Sequence, residues 1–386
     1  MSETRLTTGS ADRRARRRAP RAWFTVLLTL LLVGSGASTT ASAGETPAKL
    51  KVLTRNLYLG ADLSPVLGAT STASLIAAVT QVYAQVEATD FPERAEALAD
   101  EIAESDPHVV GLQEAVLWRS QTPADPASPA TDVEYDFLRT LLDELASRGK
   151  HYGVVKTLTT SDREVPRSTP SGLQDVRLTD RDVLLARTDL PAKKFSVAHA
   201  QRGLYQARLA IPHPLLGSLV FPRGWVAVDA TVSGRTTRVV NTHLEGAGPT
   251  VQVQQGNELL AGPLDTKLPT VLLGDLNSAA GGVGAGPGTA TPTHANILAA
   301  GFRDAWTETH PDDPGFTFGQ APDLRNPTST LRQRIDYVLF RNGPTAVKAD
   351  LVGEEQSDRT PSGLWPSDHA GVLAVFKLRD SESSVH

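Results

Sequence analysis

The sequence predicts an α/β fold, a single domain of many short strands with helices between them. Three observations predict it. Apolar runs of strand length recur from Leu50 to Leu378, stretches with apolar residues at helical spacing lie between them, and neither an internal repeat nor a boundary divides residues 48–379.

KLKVLTRN predicts a first strand, with Leu50, Val52 and Leu53 apolar and Asn56 at its end. SLIAAVTQVYAQVEA has helical periodicity, and Asp90 and Pro92 restart a second helix through ERAEALADEIAES, because proline in a first turn removes no intrahelical bond. Asp106-Pro107 then turns the chain into HVVGLQEA, a short strand ending on Gln113 and Glu114. Residues 120–134, rich in Pro, Ala and Asp, read as a surface loop, and a helix from Tyr135 to Arg148 follows, stopped by Gly149. HYGVVKTL, RDVLLAR, GWVAVDATV and TTRVVNTH read as strands, with the proline-punctuated LAIPHPLLGSLVF before the third. VQVQQGNELLAG is a helix, LPTVLLGDLNS a strand, THANILAAG a short helix, and RIDYVLFR and HAGVLAVFKL are the closing strands. The glycine-rich GGVGAGPGTATP lacks the GK[ST] of a phosphate-cradling P-loop and reads as a loop.

Residues 1–43 have the pattern of an export signal: a basic head from Arg13 to Arg21, an uncharged, mostly apolar run from Ala22 to Val33, and a small-residue cleavage site at Ala41-Ser42-Ala43. A secreted chain is expected, with residues 44–386 as one domain. No cysteine is present, so disulfide staples, thiol chemistry and cysteine zinc sites are excluded. Of 38 Lys+Arg and 43 Asp+Glu, the signal holds 7 and 2, which leaves the remainder with a net charge of −10. So acidic a chain exerts no general attraction on polyanions, and nucleic acid would need a local basic groove.

A second pattern runs through the predicted strands. Asn56, Glu114, Asn241 and His243, Asp275 and Asn277, Asp336, and Asp368 and His369 each sit at or beside the end of an apolar run. Any one of them reads as a turn or cap residue. Side by side, the strand tips would gather several carboxylates in one cleft, and carboxylates that close repel unless a cation neutralises them. Oxygen ligands favour a hard ion, magnesium, manganese or calcium, over zinc.

TRNLYLGADL, VVGLQEA, NTHLEG, LLGDLNS, RIDYVLFR and SDHAGVLAVF occur in the order, and carry the residue types, of the endonuclease/exonuclease/phosphatase (DNase-I-like) superfamily, which the chain resembles over residues 50–378. That resemblance implies a four-layer α/β/β/α sandwich of two mixed β-sheets flanked by helices, with the site at one edge. It also implies a metal-dependent phosphoric diester hydrolase that uses water directly, with no covalent enzyme intermediate. By the same resemblance Glu114 is the principal Mg2+ ligand (Mn2+ or Ca2+ as substitutes), with Asn56 and Asp368 assisting. Asp336 orients His369; Asp275 aligns or deprotonates the water; Asn277 donates to a phosphoryl oxygen; His243 and Asn241 contact the phosphate, with His243 a candidate proton donor to the leaving oxygen. Which histidine is acid and which base is open. Arg181 either clamps phosphate or pairs with Asp182.

The fold does not choose the substrate. Export and acidity favour a phospholipid or a small head-group phosphodiester, as in sphingomyelinase and phospholipase C members, with a membrane lipid surface as partner. LAIPHPLLGSLVFPRGW reads either as a lipid-facing hairpin or as one in the sandwich core. The rival is a secreted nuclease, whose groove would draw on Arg163, Arg167, Arg177, Arg202, Arg208, Arg223, Arg332 and Arg334. A non-catalytic binding module on the same scaffold is the alternative from another class. No obligate protein partner is evident.

Overall fold

The computed structural model describes residues 48–379, and the export signal expected at 1–43 lies outside the described residues. β1 (Lys49–Asn56) leads through α1 (Ser64–Leu67) to α2 (Thr72–Ala88) and α3 (Phe91–Ser105). Ser71 and Ser74 form a reciprocal capping box at the start of α2, and Asp90 caps α3 with Pro92 in its first turn. β2 (Val109–Gln113), β3 (Leu117–Gln121) and β4 (Asp132–Asp136) precede α4 (Phe137–Ser147). β5 (Tyr152–Thr169) and β6 (Gly172–Arg187) make a long hairpin. After β7 (Phe195–Leu204) comes a short one, β8 (Leu209–His213) with β9 (Gly217–Phe221). Then follow β10 (Gly224–Val232), β11 (Arg235–His243), α5 (Pro249–Ala261), β12 (Thr270–Asp275), α6 (Thr293–Ala299), β13 (Arg303–Asp304), α7 (Ala305–Thr309), β14 (Asp336–Arg341), β15 (Thr345–Val352) and β16 (Gly371–Lys377).

One eight-stranded sheet runs β15-β16-β1-β2-β6-β3-β4, with β5 along β6; a six-stranded sheet runs β13-β14-β12-β11-β10-β7. Both are mixed, because β1–β2 and β11–β12 pair parallel while the neighbouring pairs are antiparallel. Strand alternation sorts the side chains into layers. Leu50 and Val52 of β1, Val239 of β11, Val271 and Leu273 of β12 and Val338 of β14 pack between the sheets. On the outer face of the larger sheet, Leu53, Val110, Leu112 and Leu185 meet Val79, Leu98 and Leu141 from α2, α3 and α4. On the outer face of the other, Val240, Leu272 and Leu339 meet Leu259 of α5 and Ile297 of α6. These are the four layers expected from the sequence. The sheets approach closely at Gly111, where an added Cβ would lie 1.9 Å from Leu273 Cδ1.

The structure departs from the sequence-based reading in several places. The stretch 120–134 is not all loop, since β3 runs into it and β4 begins inside it. β5 and β6 extend well beyond HYGVVKTL and RDVLLAR into TTSDREVPRST and GLQDVRLT, an outer hairpin with many exposed and half-buried residues and therefore little apolar alternation. β7, mostly exposed, was not expected at all. The β8–β9 hairpin forms a separate two-stranded sheet, held to α1 by His213 Nε2 against Val66 O, so it is not part of the sandwich core. No helix among the described residues is long and apolar enough to cross a membrane.

The loops that deliver residues to the sheet edge are tied by a buried cation. Arg94 of α3 is fully buried and donates to four backbone oxygens: Nε to Thr89, Nη1 to Leu57 and Pro366, and Nη2 to Tyr58. Its guanidinium lies against the rings of Phe91, Phe137 and Tyr58. Burial pulls it down to about 10, still protonated at neutral pH. Replacing Arg94 by methionine keeps the apolar stem and leaves four buried carbonyls unpaired. The expected cost is about 3–5 kcal/mol in urea unfolding, and a loss below about 1 kcal/mol would show that the carbonyls find other partners.

Candidate active site

The layer alternation builds the site. On β1, β11, β12 and β14 the residues sharing the inward face with the core valines and leucines end in Asn56, His243, Asp275 and Asp336. Register brings these tips level: Asp275 pairs with Asp336 on one side and with His243 on the other. Gly274 allows that approach. Its φ is +142°, and a Cβ there would sit 2.0 Å from Thr242 O. Asp275 and Asn277 thus end a buried strand because the sheet edge carries them into a cleft.

Asp275 Oδ2 is the common point. Asn56 Nδ2 lies 3.2 Å from it, His243 Nε2 3.5 Å and His369 Nε2 3.8 Å. Its other oxygen accepts the backbone N–H of Asn277 at 2.9 Å, within a turn where Asn277 has φ +49°. Asn56 Nδ2 also donates to Glu114 Oε1 at 3.3 Å, and Glu114 Oε2 accepts from Leu59 N at 2.7 Å. Asn56 Oδ1 is already taken by Tyr58 N. The Asn56 amide presents donors to the Glu114 and Asp275 carboxylates and orients them. His369 Nδ1 lies 2.8 Å from Asp336 Oδ2, and Nε2 lies 3.8 Å from Asp368 Oδ1. The Phe318 ring stands 4.7 Å from the His369 ring.

Burial and mutual repulsion set the charges. Desolvation, then Asp368 and Asp180, push the Glu114 carboxyl up to about 7; desolvation and then Asp336 push Asp275 up to about 7. Asp368 is raised as well, by burial first. Burial alone would lower His369, but Asp336 and Asp368 outweigh it and hold its imidazole up to about 10. His243 goes the other way, well below the ordinary histidine value, through burial and then the Arg223 guanidinium. The two imidazoles flanking Asp275 therefore carry different charges.

These residues fit a hard divalent cation. Glu114, Asp275, Asp336 and Asp368 bring four carboxylates to one cleft, Asp336 Oδ1 is buried with no hydrogen-bond partner among the described residues, and ligand atoms of Asp275, Asp336 and His369 lie within 4.8 Å of one another. An ion would offset the repulsion that otherwise raises the carboxyls.

Two expected phosphate contacts fall elsewhere. Arg181 shares the helix-side face of β6 with Val183 and Leu185, so it points away from the cleft and binds Ala115 O, Val116 O and Asp136, not Asp182. Asn241 is inward but one step too deep. Fully buried between the sheets, its amide donates to Leu112 O and Val183 O and accepts from Gln113 Nε2. The sequence reading missed the true inward residues of β6, Asp180 and Asp182, which alternation with Leu184 marks. Asp182 is fully buried, neither oxygen has a hydrogen-bond partner among the described residues, and burial followed by Asp180 raises its carboxyl well above the usual range. Also missed was the placement of Arg223, which immediately precedes β10 and donates to His243 Nδ1 at 2.9 Å.

Comparison with known proteins agrees with this architecture. A model of the Endonuclease/Exonuclease/phosphatase family matches residues 82–369. An endonuclease/exonuclease/phosphatase family protein from Leptotrichia buccalis has 14% identity and a TM-score of 0.51, covering 85% of this chain and 100% of that one. A structure from Beutenbergia cavernae has 21% identity and a TM-score of 0.46, over 86% and 72%. The Bacteroides thetaiotaomicron mannosyl-6-phosphatase has 15% identity and a TM-score of 0.48, over 84% and 98%. Of these, the Leptotrichia buccalis structure bears on the architecture, and at 14% identity it speaks to fold alone. No curated protein matches the sequence significantly. The family match covers most of the chain and spans Glu114, His243, Asp275, Asp336 and His369, and the chain belongs to the endonuclease/exonuclease/phosphatase family, whose members are hydrolases of phosphoester bonds.

Proposed function

We propose that the chain is a secreted, divalent-metal-dependent phosphodiester hydrolase in which water attacks phosphorus in line, and that its substrate is a phospholipid or a small head-group diester. The observation that carries the reading is the convergence of Asn56, His243 and His369 on the one oxygen Asp275 Oδ2. Asp275, its carboxyl raised by burial and then by Asp336, is the base that accepts the proton of the attacking water. Asn277 keeps its amide at the cleft through a bond to Leu244 O, with its second N–H free in geometry to reach a phosphoryl oxygen. Cationic His369, aligned by Asp336, favours the charge that grows on the phosphoryl group in the transition state. A magnesium ion held by Glu114 and Asp368 would supply Lewis-acid polarisation of that group.

Exposed apolar side chains on connecting segments support the lipid class. Leu67 at the end of α1, Leu204 at the end of β7 and Leu215 at the tip of the β8–β9 hairpin are exposed. Exposed leucines suit acyl chains better than a polyanion. The nuclease reading loses support from the same side chains that suggested it. Arg223 and Arg334 are largely buried, Arg177 binds Asp162, Arg167 lies on the Tyr83 ring near Glu87, and Arg163 lies against Phe221.

Release assays over sphingomyelin, glycerophospholipids, their deacylated head-group diesters, inositol phosphates and plasmid DNA decide the class. Hydrolysis of a choline or ethanolamine lipid diester is expected, lost with chelator and restored by Mg2+, Mn2+ or Ca2+. Cleavage of DNA alone would transfer the reading to the nuclease, and inertness toward every substrate with every ion would leave a binding module.

Asp275→Asn is expected to lower turnover about 10²–10⁴-fold, the range for a lost general base, with an unchanged far-UV spectrum; near-normal rates would remove Asp275 from the reaction. The pH profile tests the dyad. A raised imidazole pKa means that the charged form persists up to about pH 10, so the alkaline limb of kcat/KM lies high in the native protein. Asp336→Asn removes the largest favourable partner of that charge, and the limb is expected to move to lower pH; an unmoved limb would exclude cationic His369 as the working form.

A further inference from the structure

We infer that Arg223 fixes His243 as the neutral Nε2–H tautomer, so that His243 acts in the cleft as a hydrogen-bond donor and not as an acid that gives up a proton. Arg223 Nη1 lies 2.9 Å from His243 Nδ1, and a guanidinium has five N–H donors and no acceptor. Nδ1 must then offer its lone pair, which leaves the ring proton on Nε2. An imidazolium would set N–H against N–H at this contact, so the pair excludes the doubly protonated ring. Nε2–H then faces Asp275 Oδ2 at 3.5 Å.

The rest of the surroundings hold Arg223 to this task. His243 pairs with Gly224 in the β10–β11 register, which places Arg223 beside the ring, and a Cβ on Gly224 would lie 2.2 Å from Gly203 O, so β10 starts hard against β7. The guanidinium sits between two carboxylates, Nη1 4.0 Å from Asp180 Oδ2 and Nε 3.9 Å from Glu245 Oε2, which offset its charge at distances too long for a hydrogen bond to compete with His243. His369 has the opposite arrangement: its Nδ1 meets the anion Asp336 and carries a proton. One partner is donor-only and the other acceptor-only, and the two histidines of the site are distinguished by that difference. Arg223 is thus a positioning residue, acting through His243.

The role in catalysis rests on the hydrolase reading, but the tautomer does not, and the test reads the tautomer directly. Long-range 1H–15N correlation spectra of the full exported chain at pH 7, with His243 assigned by the signals lost in His243→Asn, are expected to show a pyrrole-type Nε2 and a pyridine-type Nδ1. A proton on Nδ1, or on both nitrogens, overturns the proposal whatever the activity. In Arg223→Met, which has no donor, part of the population is expected to shift its proton to Nδ1, while Arg223→Lys, still donor-only, keeps it on Nε2. An unchanged His243 pattern in folded Arg223→Met would show that Arg223 does not set the tautomer. Should Arg223→Met fail to fold, the native spectrum alone still decides.

Discussion

Four carboxylates at one sheet edge, each deprived of much of its water, are the constraint around which the site is organised. Unpaired anions in such a place are expensive, and a protein either neutralises them with protons, pairs them or binds a cation. The first two solutions are visible, and the site leaves room for the third. Glu114 and Asp275 have carboxyls raised to about 7, so part of the charge is relieved by protonation. Asp336 is paired with His369, whose imidazole stays cationic as a result. What remains is an excess of oxygen ligands facing a common space, the setting in which a hard divalent ion is most strongly bound.

The same constraint explains why donors of fixed geometry surround the acids. Asn56 cannot rotate its amide without losing Tyr58 N, so its two N–H groups stay on Glu114 and Asp275. Arg55, on the outward face of the same strand, is fully buried in a bidentate pair with Glu101 of α3 and also donates to the backbone oxygen of His369. Arg94 ties down the loops on either side. Two buried arginines thus hold the backbone that carries Asn56 and His369, and neither touches the cleft. Removing either would leave carbonyls or a carboxylate unpaired in the interior, which is the reason such cations persist despite their desolvation cost.

How much of this could be read from the sequence depends on burial on both sides of a strand. Asn56, Asp275, Asp336 and His369 stand out because each interrupts an apolar run that is buried on both faces, where polar residues need a reason. Arg181 misled because RDVLLAR is such a run and offers no contrast between its faces; only the partition of Val183 and Leu185 to the helices and of Leu184 to the sheet interface reveals that Asp180 and Asp182 point inward. Asn241 lies on the correct face, and its failure is one of depth, since a residue two places before the strand tip reaches the opposite sheet and not the cleft. Arg223 was named only as a surface cation. It follows a hairpin inserted between β7 and β10, and no local pattern links it to His243, twenty residues on; the link is a register in the sheet. The outer halves of β5 and β6 were illegible for the converse reason, since exposed residues on their faces leave no periodicity.

Rigid strand tips also explain how a family can keep its chemistry while changing its substrate. Asp275, His243 and Asp336 are set by hydrogen-bond register between neighbouring strands, which cannot slip by one residue without turning every core side chain outward. The positions of the reacting groups are thereby coupled to the integrity of the core, and they hold to the tolerance that positioning catalysis demands. The α1 segment and the β8–β9 hairpin are under no such restraint. They hang from the ends of β1 and β7, contact each other through His213 and Val66, and expose leucines without disturbing either sheet. The strand tips and these segments therefore carry different mechanical obligations, and a change at Leu67 or Leu215 leaves the register that holds Asp275 untouched.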